Sequence, residues 1–96
     1  MNQLGPYQNL LLNYGNHSRG WAIILAIVSN ASSSHYCGEL SLIGTEDNSE
    51  LNKVSIGSWG VGGYSPSSFT YTKTSNGQIQ VYNGRGEWAF IWHTGY

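Results

Sequence analysis

The sequence predicts an all-β domain: an antiparallel β-sandwich, jelly-roll-like, of about seven strands. Three observations carry this. Short runs of β-branched and aromatic residues recur between clusters of Gly, Ser and Asn. No capping box precedes an apolar run at helical spacing. Two of the runs are apolar at nearly every position, as in strands covered on both faces.

The predicted strands are 6–14, 20–29, 35–43, 51–59, 68–74, 78–83 and 88–94. The first, "PYQNLLLNY", lies between Gly5 and the turn "GNHSR". The second, "GWAIILAIVS", has the ambiguous periodicity of any short apolar run. Its tryptophan, three isoleucines and valine, with Gly20 before it and "SNASSS" after it, favour a strand over a buried helix. The third and fourth are separated by the polar loop "GTEDNSE". The fifth, "SFTYTKT", alternates Phe69, Tyr71 and Lys73 against threonines. Asn76 and Gly77 then tolerate the positive φ of a tight hairpin turn. "QIQVYN" carries Ile79 and Val81 on one face, "NGRGE" turns the chain again, and "WAFIWHT" returns.

A chain of 96 residues fits one domain, here 1–96. At this size about 60–65% of the unfolded surface is buried, enough for one core. Charged residues make up 9% of the chain, against a usual ~25%. A net charge of -1 lacks the basic face that phosphate tracking needs, which argues against nucleic acid. The longest apolar run, eight residues (21–28), is too short to span a bilayer as a helix, so no membrane insertion is expected. "MNQLGPYQN" has neither the basic nor the apolar region of a signal peptide. The single Cys37 can form no disulfide within the chain.

The two-faced strands imply a partner. In "GWAIILAIVS", Trp21, Ile23, Leu25 and Ile27 alternate with Ala22, Ile24, Ala26 and Val28. In "WAFIWHT", Trp88, Phe90 and Trp92 alternate with Ala89, Ile91 and His93. One face of each enters the core, and the other would form an apolar patch larger than soluble monomers usually carry. A second copy of the chain is the economical cover. Because small residues permit close approach, the expected subunit interface is Ala22, Ile24, Ala26, Val28, Ala89, Ile91 and His93. The alternative is a monomer that shelters both faces in a tight barrel.

The Gly/Ser/Asn-rich, charge-poor composition and the ending "IQVYNGRGEWAFIWHTGY" resemble the C-terminal tip (knob) domains of bacteriophage tail fibres. They are also similar to the trimeric C-terminal domains of bacterial collagen-like surface proteins. The resemblance implies a homotrimer at the end of a stalk, on a virion tail fibre or a cell surface, that binds a host receptor, often a glycan. The alternatives are a foldon-like trimerisation module without a ligand, or a small monomeric lectin.

No catalytic constellation is recognisable. "GYSPS" is not a nucleophile elbow. Glu46, Asp47 and Glu50 share one loop rather than facing each other across a cleft. The chain therefore reads as a non-enzyme. His35 and Cys37, two apart on one strand face, with His17 and His93, supply ligand types but no metal-site spacing. No metal or cofactor is expected.

Recognition residues are expected where aromatics meet loops. Trp59 and Tyr64 flank "GVGG", and an exposed ring there can stack on the apolar face of a sugar. If each connection reverses the chain, loops 15–19, 44–50 and 75–77 share an end. A stalk preceding residue 1 would make that end distal. His17, Arg19, Asp47, Asn48 and Asn76 would then form a polar rim able to clamp hydroxyls or acidic sugar groups. Single sites of this kind are weak, and trimeric presentation supplies avidity.

Overall fold

The computed structural model describes residues 2–14, 20–29, 35–45, 51–65, 69–75 and 77–96. They form eight strands: β1 (Asn2–Leu4), β2 (Asn9–Asn13), β3 (Gly20–Ser29), β4 (Tyr36–Thr45), β5 (Leu51–Val61), β6 (Phe69–Ser75), β7 (Gln78–Asn83) and β8 (Ala89–Gly95). The described residues contain no helix. The expected strands are present within a few residues. The first predicted strand begins later, at Asn9, and a three-residue strand precedes it. That segment, "NQL", is too short to show any alternation.

The strands form two antiparallel sheets, one of five in the order β1-β8-β3-β4-β5 and one of three in the order β2-β7-β6. β3 is the spine of the larger sheet. It pairs with β4 from Gly20↔Thr45 to Ser29↔Tyr36, and with β8 from Ala22↔Gly95 to Val28↔Ala89. The turn between β6 and β7 places Gly77 at φ 72°, as its sequence requires.

Between the sheets lies one core. The larger sheet contributes Leu4, Ala22, Ile24, Ala26, Val28, Cys37, Ile43, Ala89 and Ile91, and the smaller contributes Leu12, Phe69, Ile79 and Val81. The face expected to meet other subunits is therefore the inner one. Ala22, Ile24, Ala26, Val28, Ala89 and Ile91 are fully buried within a single chain, and His93 is half-buried beside Tyr14. Packing explains the inversion. Sheets stack about 10 Å apart, and small residues opposite large ones let the layers interdigitate. The alanines of β3 and β8 make room for the bulkier side chains of the smaller sheet. Trp21, Ile23, Leu25 and Ile27 consequently face outward.

The core has a polar closure at each end. At one, Tyr14 Oη lies 2.7 Å from His93 Nδ1, with the two rings edge to face. Burial pushes the Tyr14 hydroxyl up to about 12 and holds the His93 imidazole below its ordinary value. Both groups are therefore uncharged at neutral pH. At the other end Asn83, fully buried at the end of β7, joins the two sheets. Its Nδ2 donates to the carbonyls of Leu4 at 3.3 Å, Gly5 at 3.1 Å and Glu87 at 2.8 Å. Its Oδ1 accepts from the Arg85 amide at 3.0 Å, and its own amide donates to Gln8 O at 3.0 Å.

β5 overhangs. The three-stranded sheet does not reach across it, so Leu51 alone of its residues is half-buried and the others are exposed. Its inward Lys53 forms an ion pair of 2.7 Å with Glu39, which also accepts from Ser41 Oγ at 3.1 Å. Lys53 Nζ sits 5.0 Å from the Tyr71 ring centroid and closes that flank of the core.

Asn83→Ala strips buried carbonyls of their donor and should cost about 2–4 kcal/mol. The measurement is the urea midpoint, and amide exchange should speed up in residues 84–88 more than in β3.

Candidate functional site

Strand directions gather the turn after β1, the start of β4, the β5–β6 connection and the β7–β8 connection at one end of the sandwich. This is the loop alternation expected from parity. The chain start departs from it. Asn2 pairs with Ile91 and Leu4 with Ala89, so β1 runs toward this end from the middle of the sheet. β8 finishes at the opposite end.

His17, Arg19, Asp47, Asn48 and Asn76 lie outside the described residues. Trp59 and Tyr64 are described, and the structure separates them. Trp59 is on the outer face of β5, directly across from Gly38 of β4. Its ring lies against that glycine, in the space that a Cβ at position 38 would need. Trp59 thus belongs to the outer sheet surface rather than to the loop end.

Tyr64 is at the loop end, and its polar and aromatic functions are both engaged. Its hydroxyl donates to Glu87 Oε1 at 2.8 Å, and the Arg85 guanidinium lies 4.1 Å from its ring centroid. Arg85 Nε donates to Glu87 Oε2 at 3.3 Å, and Arg85 Nη1 donates to Ser65 O at 3.3 Å. The His35 ring lies 5.5 Å from that of Tyr64. The hydrogen bond from Tyr64, followed by the Arg85 charge, holds the Glu87 carboxyl below its ordinary value. Tyr64 therefore acts as a post that fastens the β5–β6 connection to the β7–β8 connection.

Cys37 is buried among apolar side chains, and burial pushes its thiol up. His35 lies before the strand, against Tyr64 rather than in a ligand set. Among the described residues no group of three or more His, Cys, Asp or Glu side chains could hold a metal ion.

Two further aromatics stand at this end. Tyr7 falls within the predicted strand 6–14, yet it sits in the Gly5–Gln8 turn, closed by Gln8 N donating to Gly5 O at 3.3 Å, with φ of 56°. Trp88, expected in core or interface, precedes β8 and is exposed. The legible signal was "GPYQ", a proline followed by the residue that a type II turn drives to positive φ.

No family model matches the chain, and no curated protein does. Among solved structures, the Acinetobacter phage vB_ApiP_P1 tailspike protein is similar in fold. The two share 18% sequence identity and superpose with a TM-score of 0.51. The match covers 98% of this chain and 19% of the tailspike chain. The likeness is one of all-β architecture.

A carboxyl with a lowered pKa stabilises the fold fully above its ordinary value of 4.5, and that stability is lost as pH falls through the lowered value. Tyr64→Phe should therefore lower stability at pH 7 by about 1 kcal/mol. The gap to the wild type should narrow toward pH 3, as read from thermal midpoints across that range.

Proposed function

We propose that this chain is the receptor-binding module of a phage-type tail structure, assembled as a homotrimer that presents its loop end to a host surface glycan. The carrying observation is the contrast between the two outer faces of the sandwich. On the smaller sheet the outward positions are mostly Asn, Gln and Thr: Asn9, Asn13, Thr70, Thr72, Gln78 and Gln80. On the larger sheet they include Trp21, Ile23, Leu25, Ile27, Leu40, Leu42, Val54, Trp59, Phe90 and Trp92. No Asp, Glu, Lys or Arg occupies an outward position there among the described residues. Exposure reaches 46% at Trp21, 45% at Trp92 and 63% at Val54.

This supports burial against copies of the same chain, through the face opposite to the one the alanines suggested. Four strands about 4.8 Å apart and about ten residues long make a face of roughly 600 Å² in projection. Side-chain relief brings its accessible area near the ~800 Å² per partner of a standard stable interface. The tailspike likeness fits a virion setting, and the end carrying Tyr64 points away from the side by which β1 enters.

A second reading, a trimerisation module without a ligand, draws on the same apolar face and on the internal engagement of Tyr64. Ligand binding separates the two.

Light scattering at micromolar concentration should give three times the 10.5 kDa chain mass. Leu42→Glu and Trp92→Glu should yield folded monomers, and Thr72→Glu on the opposite face should leave the mass unchanged. A monomeric wild type would remove the oligomer and favour a small lectin.

A further inference from the structure

We infer that Tyr7 and Trp88 form an aromatic platform for a neutral pyranose ring, at a place distinct from the Tyr64 cluster. The inference deepens the glycan-binding reading and rests on it. Its first support is a broken local rule. The turn Gly5–Pro6–Tyr7–Gln8 has proline second and a positive φ third, the pattern of a type II turn, whose third position favours glycine. A bulky side chain at φ 56° is a conformational outlier, and such strain concentrates where a side chain serves a ligand. The strain here holds a ring that is 63% exposed, so core packing does not account for it.

The second support is reciprocal placement. Beyond the Leu4↔Ala89 pair, Gly5 comes to face Trp88. A Cβ at Gly5 would lie 3.5 Å from Trp88 Cη2, and one at Gly86 would lie 3.5 Å from Tyr7 Oη. Each ring thus lies by the glycine of the other loop, so the two loops carry both exposed rings at the same end of the sandwich. Trp88 is 55% exposed. The Gln8 side chain lies over Gly5, beside Trp88, and brings an amide that can bond hydroxyls.

The third support is rigidity and charge. Asn83 bonds the backbone of both loops, through Gly5 O and Glu87 O. Arg85 and Glu87, the charged pair nearby, are joined to each other at 3.3 Å. The platform is thus pre-organised, aromatic and flanked by a charge pair that is already matched. Apolar C–H faces stacking on rings, with hydroxyls bonded at the rim, are how neutral sugars are held.

The test applies the wild type, Tyr7→Gly, Trp88→Ser and, on the opposite polar face, Thr72→Ala to an immobilised panel of neutral and acidic glycans. The tightest hit is then titrated in solution, with saturation-transfer NMR on the sugar protons. Tyr7→Gly suits the turn better than tyrosine does, so it should keep or raise the thermal midpoint while removing the ring. The expected result is binding of neutral glycans weakened by about tenfold or more in Tyr7→Gly and Trp88→Ser. Thr72→Ala should bind like the wild type. A hit that both platform variants bind as well as the wild type overturns this location while sparing glycan recognition. A wild type that binds no glycan overturns both.

Discussion

One buried amide holds one end of this sandwich together. Asn83 closes β7 in the smaller sheet, yet its side chain reaches the end of β1 and the approach to β8 in the larger one. A polar group taken out of water costs free energy unless every donor and acceptor is matched, and here each one is. The match requires the Gly5–Gln8 turn and the 84–88 loop to stand at fixed separation from both sheets. The geometry of the loop end then follows. Arg85 leaves the amide that Asn83 accepts, crosses the Tyr64 ring and meets Glu87, whose carbonyl Asn83 also holds. Among the described residues, thirteen buried apolar side chains supply the bulk of the stability, and this small network orders the surface built on them.

The strands were largely legible because the punctuation is strong. "GWAIILAIVS" and "QIQVYN" coincide with β3 and β7 at both ends. The inner face of the smaller sheet was also plain, since Phe69, Ile79 and Val81 alternate with polar residues. The larger sheet resisted because its two faces are nearly equal in hydrophobicity. Period-2 alternation then identifies two faces without ranking them. The deciding quantity was volume. The layer opposite carries Leu12, Phe69 and Ile79 and leaves no room for a tryptophan at Trp21 or Trp92, and alanine fits. That opposing layer is set by tertiary pairing across the chain, which a local pattern does not contain.

The loop end was legible in part. Tyr64 was singled out by its setting among glycines, and it is at that end. Its engagement depends on Arg85 and Glu87, more than twenty residues away, and side-chain pairings at such separation leave no mark on either segment. Tyr7 was hidden differently, since the leucines that follow it draw the whole segment into a strand reading. The proline before it was the local clue to a turn.

The overhang of β5 bears on whether further chains can add to the larger sheet. A long, uncovered edge of this kind would let further chains add without limit, giving filaments rather than a particle of defined size. The ladder between β4 and β5 is interrupted at Leu40/Ser41, where Ile56 is the extra residue. Such a kink increases local twist, so an incoming strand cannot stay in step along the whole edge. Growth of the sheet by edge addition is thus frustrated halfway along β5.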